Sequence, residues 1–339
     1  MDFERPIVII ANTTKYIFHY RRYLIKKLLA SGYKVIVIAP IDETSEYIAK
    51  DCFYIPWRVN RKKDNNISSL IISFFKLMYL IQAIKPSLIH SHTIKPILLS
   101  SIISSIYGIP NVISFAGLGK LSVKKGFNKI IFTKIMKIII FFAHRTRVGK
   151  FKIKVNKNRS HFIFQNKNDL KRFESYISDK KDCKMTLIRG SGVPEIYFQQ
   201  NINFKNNLSK QKNIQIKDVS LIYCGRLLRS KGIDTFMKIS QLISPKDSKI
   251  FGGIDSSSED SLTHEEIKKY QETFSNVLFY GEKLNPLINL NIKFPILITP
   301  SNYGEGLSRT ICEACALKIP VISSERASSG AFTDDHIYI

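Results

Sequence analysis

The chain has 339 residues, 44% of them hydrophobic and 11% aromatic, with 52 Lys+Arg against 27 Asp+Glu and a formal net charge of +25. So much apolar material along the whole length excludes a disordered or low-complexity protein, and the length suggests two domains. Five scattered cysteines, Cys52, Cys183, Cys224, Cys312 and Cys315, are too few for a disulfide framework and fit a reducing cytoplasm.

The opening Met1-Asp2-Phe3-Glu4-Arg5-Pro6 carries acids and a proline where an export signal would be basic, so no export is expected. Short apolar runs then predict buried strands over 7–11, 34–39, 88–90, 111–115 and 161–164, with helices clearest over 20–31 and 67–84. The run 67–84 approaches membrane-spanning length, but Lys76 near its middle marks it as a mostly buried helix of a globular domain. A polar, Asn/Lys-rich stretch over 201–217 reads as a linker. After it the rhythm restarts, with strands expected over 220–224, 248–252, 277–280, 296–299 and 321–324 and helices over 232–243 and 306–318. Alternation of this kind predicts an α/β protein with two successive Rossmann-like, doubly wound domains, 1–200 and 218–339, and a cleft between them as the ligand site.

The charge is unevenly spread. Residues 1–200 carry 35 Lys+Arg against 12 Asp+Glu, and residues 201–339 carry 17 against 15. Residues 101–150 hold nine basic residues and no acidic one, and the stretch 124–142 mixes cations with large apolar side chains. Compositional drift would raise lysine in both halves alike, so the asymmetry points to an anionic membrane surface as partner. The aromatic interleaving of an RNA-stacking surface is absent, and no nucleic acid partner is expected.

Two segments of the second half bear chemistry. In Tyr223-Cys224-Gly225-Arg226-Leu227-Leu228-Arg229-Ser230-Lys231-Gly232 a strand ends, a glycine turns the chain, and Arg226 and Lys231 occupy the connection to a helix, an arrangement suited to a diphosphate. A solvated basic loop is the plainer alternative. In the stretch from Thr299 to Glu313, a Gly304-Glu305-Gly306 turn precedes a helix whose free N–H groups at Gly306, Leu307 and Ser308 would face an anion. Glu313 among apolar neighbours calls for hydrogen-bond donors, which sugar hydroxyls would supply; an i,i+4 ion pair with Arg309 on a wet face would explain it as well. Glu305 equally fits an ordinary acid at a helix start. Cys312-x-x-Cys315 has metal or redox spacing but no second pair, which favours core thiols, and His90-x-His92 favours a structural role.

Glu305 and Glu313 in the spacing E-x7-E, with Pro300-Ser301, Pro320-Val321, Gly225-Arg226 and Lys231-Gly232, resemble the retaining family 4 glycosyltransferases of the GT-B fold. The first half agrees through Phe18-His19-Tyr20-Arg21, His90-Ser91-His92, Phe115-Ala116-Gly117-Leu118-Gly119 and Phe164-Gln165-Asn166. Similarity is greatest to the subgroup that transfers sugars, often acetamido sugars, onto polyprenyl-diphosphate-linked glycans in bacterial surface-polysaccharide or protein-glycan assembly.

The resemblance implies that Arg226 and Lys231 hold the diphosphate of a nucleotide-sugar donor, a UDP-sugar, with the amides of Gly306, Leu307 and Ser308 and the turn at Gly225. It implies that Glu305 touches the transferred sugar and Glu313 the ribose. On the acceptor side it implies Thr13, Thr14, His92, Gly117, Gly119 and Asn166, with a lipid-linked glycan as acceptor. It further implies a cytoplasmic enzyme, peripheral on the inner face of the plasma membrane. No Asp-x-Asp occurs, so no metal and no cofactor are expected.

This sequence departs from the family's pattern at Ala116, where many relatives have a histidine, and at Asn12-Thr13-Thr14, which replaces a glycine-rich loop. Because the fold usually continues past the strand near Val321, the C-terminal domain is expected to be incomplete. The alternatives are a sugar-nucleotide epimerase or inverting transferase on the same fold, or a non-catalytic membrane-associated subunit.

Overall fold

The computed structural model describes residues 4–57, 67–118, 127–143, 145–148, 152–155, 160–177, 184–188, 190–199, 214–243, 245–255, 258–288, 290, 292, 294–302 and 308–328. The chain divides into two compact units, Met1–Ser191 and Gly192–Ile339.

Unit 1 runs β1 (Ile7–Ile10), α1 (Thr14–Tyr20), α2 (Arg22–Ala30), β2 (Val35–Ala39), α3 (Ser45–Asp51), β3 (Phe53–Pro56), α4 (Ile67–Ile84), β4 (Leu88–His92), α5 (Ile94–Tyr107), β5 (Asn111–Phe115), α6 (Phe127–Ala143), β6 (Arg145–Val148), β7 (Lys152–Val155), β8 (Ser160–Phe164), α7 (Lys167–Glu174) and β9 (Lys184–Leu187). Seven strands form one parallel sheet in the order β3-β2-β1-β4-β5-β8-β9, while β6 and β7 pair separately as an antiparallel hairpin. The near-continuous Ile/Val content of the central strands is what burial on both faces demands. Ile7, Ile9, Val35 and Val37 pack on one face with α1 to α3, while Val8, Ile10 and Ile89 pack on the other with α4 and α5. The second core continues on that side, where α6 buries Phe132, Met136 and Ile139 against Phe162 and Phe164.

The helix expected over 67–84 forms with those limits, yet it is not mostly buried. Leu77 and Ile81 enter the core, while Ile71, Phe75 and Tyr79 are 50%, 56% and 71% exposed on the opposite side. One helical stripe satisfies the sheet and the other half of this apolar helix faces outward.

The chain leaving β1 is fixed by a polar cluster. Thr13 caps α1 by accepting from the Tyr16 N–H, and Thr14, fully buried, donates to Asp42 and meets Ser45 Oγ at 3.1 Å. Asp42 also accepts from the Lys15 N–H at 3.0 Å and from the Thr44 hydroxyl at 2.7 Å. Burial pushes the Asp42 carboxyl up, but the bonds from Thr14, Thr44 and Lys15 outweigh it and hold the group below its ordinary value of 3.8. Its stabilising contribution is therefore present above 3.8 and is lost as pH falls through the lower folded value. Asp42→Asn is expected to cost about 1–3 kcal/mol at neutral pH, with a flatter acid limb in urea unfolding measured as a function of pH.

Unit 2 contains α8 (Ile196–Gln199), β10 (Ser220–Cys224), α9 (Ile233–Ile243), β11 (Asp247–Phe251), α10 (His264–Thr273), β12 (Val277–Gly281), β13 (Pro295–Thr299), α11 (Arg309–Ala316), β14 (Val321–Ser323) and α12 (Glu325–Ser328). Its sheet is parallel in the order β12-β11-β10-β13-β14. Tyr197 of α8 is fully buried with Leu297 and Leu317, so chain ahead of the stretch 201–217 already packs with this unit. Residues 201–213 of that stretch lie outside the described residues. Both units are thus doubly wound α/β sheets of Rossmann type.

Candidate functional site

In a doubly wound sheet, ligands bind outside the carboxyl ends of the strands where the strand order reverses. In unit 2 that point lies between β10 and β13, which pair directly. The two segments singled out in the sequence leave the sheet there, side by side.

The first leaves β10 at Gly225 and closes as a single 3-10 turn, Arg229–Lys231. Gly225 N–H donates to the Phe251 carbonyl at 2.9 Å, tying the turn to β11. Arg229 Nη1 reaches Asp234 Oδ2 at 2.9 Å and its Nη2 meets Glu266. Glu266 also completes a capping box with Thr263 at the start of α10, so one carboxylate anchors both a helix end and the basic turn. Ser230 is held by Asp260, and Arg226 Nη1 pairs with Asp255 Oδ2 at 2.8 Å. Of the two cations expected to face a diphosphate, Arg226 is thus exposed and already carries a carboxylate. Lys231 is half-buried at the end of the turn.

The second segment leaves β13 through Pro300 and Ser301. Asn302 N–H donates to the Ser230 carbonyl at 2.9 Å, and Ser301 Oγ approaches the same oxygen at 3.4 Å. Gly232, at φ +82°, lies so close to Pro300 that a Cβ would run into the Pro300 carbonyl. The basic turn and the chain entering the Gly-Glu-Gly turn are therefore one joined surface. Glu305, Gly306 and Leu307 lie outside the described residues.

Helix α11 starts at Arg309, three residues later than expected, because Ser308 takes an extended conformation (φ −65°, ψ 120°) and serves as the N-cap. Its last turn ends at Lys318, which adopts the left-handed conformation at φ +59°. The Arg309–Glu313 ion pair is present at 2.5 Å, but it is not on a wet face: the side chains are 12% and 8% exposed. The Tyr197 hydroxyl, which donates to Asn285 Oδ1 at 3.2 Å, lies beside Glu313. Burial raises the Glu313 carboxyl above its ordinary value of 4.5, outweighing the charge and hydrogen bond of Arg309 and the nearby Tyr197 hydroxyl. A carboxyl of this kind favours the folded state less as pH climbs from 4.5 through the raised folded value. Glu313→Gln should remove that decline, read as a urea midpoint that rises relative to the parent's as pH climbs from 4.5.

Burial also pushes the Cys224 thiol up to about 12, with Glu313 adding to the shift, and Cys312 up to about 11. Cys315 is exposed rather than in the core. Among the described residues no group of three or more His, Cys, Asp or Glu is placed to hold a metal ion.

In unit 1 the strand order reverses between β1 and β4. Thr13, His92, Gly117 and Asn166 fall at the carboxyl ends of the adjacent strands β1, β4, β5 and β8; Gly119 lies outside the described residues. Asn166 caps α7, accepting from the Asp169 N–H at 2.7 Å, and Asp169 Oδ2 accepts from Leu118 N–H at 3.1 Å, which braces the turn after Gly117 (φ +149°). Thr14 serves the buried network around Asp42. His92 is wholly buried: its Nδ1 accepts from Arg21 Nε at 3.4 Å, its ring lies 4.2 Å from His90 and 5.4 Å from Tyr16, and its Nε2 has no hydrogen-bond partner among the described residues. His90 Nε2 lies 2.8 Å from Ser114 Oγ, and burial together with Arg21 drives the His90 imidazole down to about 3. Burial also lowers the His92 imidazole well below its ordinary value of 6.5, with His90 and Arg21 adding to the shift, so both rings are neutral. The residues that sequence reasoning missed are Tyr16, Tyr197 and the acids Asp255, Asp260 and Glu266, all of them brought in by tertiary packing.

Residues 7–148 match a family model described as "Glycosyl transferase 4-like", and residues 218–336 one described as "Glycosyl transferases group 1". Among curated proteins no sequence match is found. Similar solved structures include sucrose-phosphate synthase from Thermosynechococcus elongatus, with TM-score 0.67 and 16% identity over 96% of this chain and 82% of that one. Another is Alr3699/HepE of Anabaena in complex with UDP-glucose, with TM-score 0.64 and 15% identity over 96% of this chain and 81% of that one. A glycosyltransferase from Rickettsia africae gives TM-score 0.63 and 18% identity over 94% of this chain and 79% of that one.

Proposed function

Since two glycosyl transferase models together take in most of its length, the chain is a glycosyltransferase of the GT-B type, and we propose that it moves a sugar from UDP to a polyprenyl-diphosphate-linked or glycan acceptor with retention of configuration. The donor sugar is of hexose type, the acetamido sugars included, and the pathway is assembly of a bacterial surface polysaccharide or glycan. The enzyme works on the inner face of the plasma membrane.

The observation that carries this reading is the hydrogen bond from Asn302 N–H to the Ser230 carbonyl at the strand-order reversal of unit 2. It joins the turn bearing Arg226 and Lys231 to the chain that leads into α11, which supports one anion seat built from both segments. A sugar departing from a diphosphate becomes oxocarbenium-like while negative charge grows on the leaving oxygens. Lys231, Arg226 and the first amides of α11 stabilise that charge electrostatically, with no reorganisation at the moment of reaction. The leaving phosphate takes the acceptor hydroxyl's proton on the same face, which preserves configuration without a covalent intermediate. Glu305 contacts the transferred sugar, and Glu313, fixed by Arg309, accepts from the ribose. Thr13, Gly117 and Asn166 mark the acceptor side. The HepE complex supports uridine diphosphate as the carrier by fold alone.

Thermal unfolding with UDP-, GDP- and ADP-sugars identifies the donor, because a ligand bound only by the native state raises the melting point. NMR of the product then reads the anomeric configuration. Retained configuration on a lipid-linked acceptor is the expected result. An inverted product, or a donor epimerised without transfer, would assign the chain to another reaction on the same fold.

A further inference from the structure

Helices α4 and α6 both pack against α5, and the hairpin β6–β7 reaches α5 and α6 through β6. On α6 the side chains turned from the core alternate cation with hydrocarbon: Ile130 is 55% exposed and Ile138 40%, at i and i+8, with Lys134 and Lys137 exposed on the same stripe. On α4 the outward stripe is Ile71, Phe75 and Tyr79, with Lys76 exposed beside it. The hairpin strands read Arg-Thr-Arg-Val and Lys-Ile-Lys-Val. None of these four elements contains an aspartate or glutamate. Among the described residues no helix is long and apolar enough to cross a membrane.

We infer that α4 and α6 form one docking face that lies on an anionic lipid bilayer, with Phe75, Tyr79, Ile130 and Ile138 in the acyl boundary and Lys76, Lys134 and Lys137 at the phosphates. Exposed apolar side chains of this size, set at helical spacing, mark an interaction surface. A face with cations and no acid repels a second copy of itself, which argues against a symmetric dimer. Isoleucines gain nothing from a nucleic-acid backbone. Apolar stripe and cations together match the two components of an anionic bilayer surface, and neither alone gives firm binding. The face uses no residue of the donor site, and its test contains no nucleotide, so it stands or falls separately from the proposed transfer reaction.

The experiment is co-sedimentation of the full chain with vesicles of phosphatidylcholine containing about one-third phosphatidylglycerol, against pure phosphatidylcholine, at low and high salt. The parent protein is expected to pellet with the anionic vesicles and to be released as salt rises. The pair Lys134→Glu/Lys137→Glu and the pair Phe75→Ser/Tyr79→Ser are each expected to weaken partition at least about tenfold. Circular dichroism and the melting point of both pairs should match the parent, since all four side chains are exposed. Equal pelleting on neutral vesicles, or no effect of either pair, would overturn the assignment. So would absence of pelleting together with self-association that Phe75→Ser/Tyr79→Ser abolishes, which would assign the face to a second copy.

Discussion

Replacing Lys231 with alanine is expected to lower kcat/KM for the nucleotide-sugar donor by about 10²- to 10³-fold, the effect of deleting one preorganised charge-stabilising group. Arg229 pairs with Asp234 and Glu266, and Arg226 with Asp255. Lys231, half-buried at the last position of the turn, adjoins the Ser230 carbonyl that binds Asn302. Arg226→Ala is expected to cost about tenfold, because this exposed guanidinium shares its charge with Asp255. Initial rates with the donor identified by thermal shift check both values. Parent-like rates in Lys231→Ala with an unchanged melting point would remove the basic turn from the chemistry.

Gly232→Ala is expected to cost about 2–5 kcal/mol of stability and to abolish transfer. Two effects add at this position. A φ of +82° strains any L side chain, and the new Cβ would press on the Pro300 backbone, which holds the second segment in place. Gly281 separates the two: at φ +68° a Cβ there meets nothing within 4 Å, so Gly281→Ala bears the backbone strain alone, about 1–2 kcal/mol. Urea midpoints at unchanged m-value for the two variants isolate the clash at the joined turns. Equal midpoints would mean that Gly232 and Pro300 do not press on each other.

Much of this architecture is legible in the sequence because buried parallel strands advertise themselves. The runs beginning at Ile7, Val35, Asn111 and Ser220 are predominantly apolar, and the strands lie within one or two residues of their expected limits. The edge strands β3 and β9 escape notice because each is only four residues long and half covered, with Phe53 and Lys184 exposed. The hairpin strands alternate cations with other residues and form no apolar run. Helix α1 depends on the Thr13 cap and on Asp42, a residue 28 positions beyond Thr14, and such a contact has no local signature.

At the site, Arg226, Lys231 and Glu313 stand out by charge against apolar surroundings. Their partners do not: Asp255, Asp260 and Glu266 lie among ordinary acidic surface residues, and Tyr197 comes from chain ahead of the stretch expected to be linker. The outward half of α4 is hidden for a related reason, since Ile71 and Phe75 look like core residues until the sheet has claimed Leu77 and Ile81 instead.

Calorimetric titration of UDP-glucose into the parent protein and into an Arg226→Ala/Lys231→Ala double variant addresses the joined turns of unit 2 without requiring an acceptor. The expected result is saturable binding by the parent protein and affinity at least about a hundredfold lower in the variant, with both proteins equally folded. Equal affinities in the two proteins, or no binding of UDP-, GDP- or ADP-glucose by the parent, would contradict a diphosphate seat between β10 and β13.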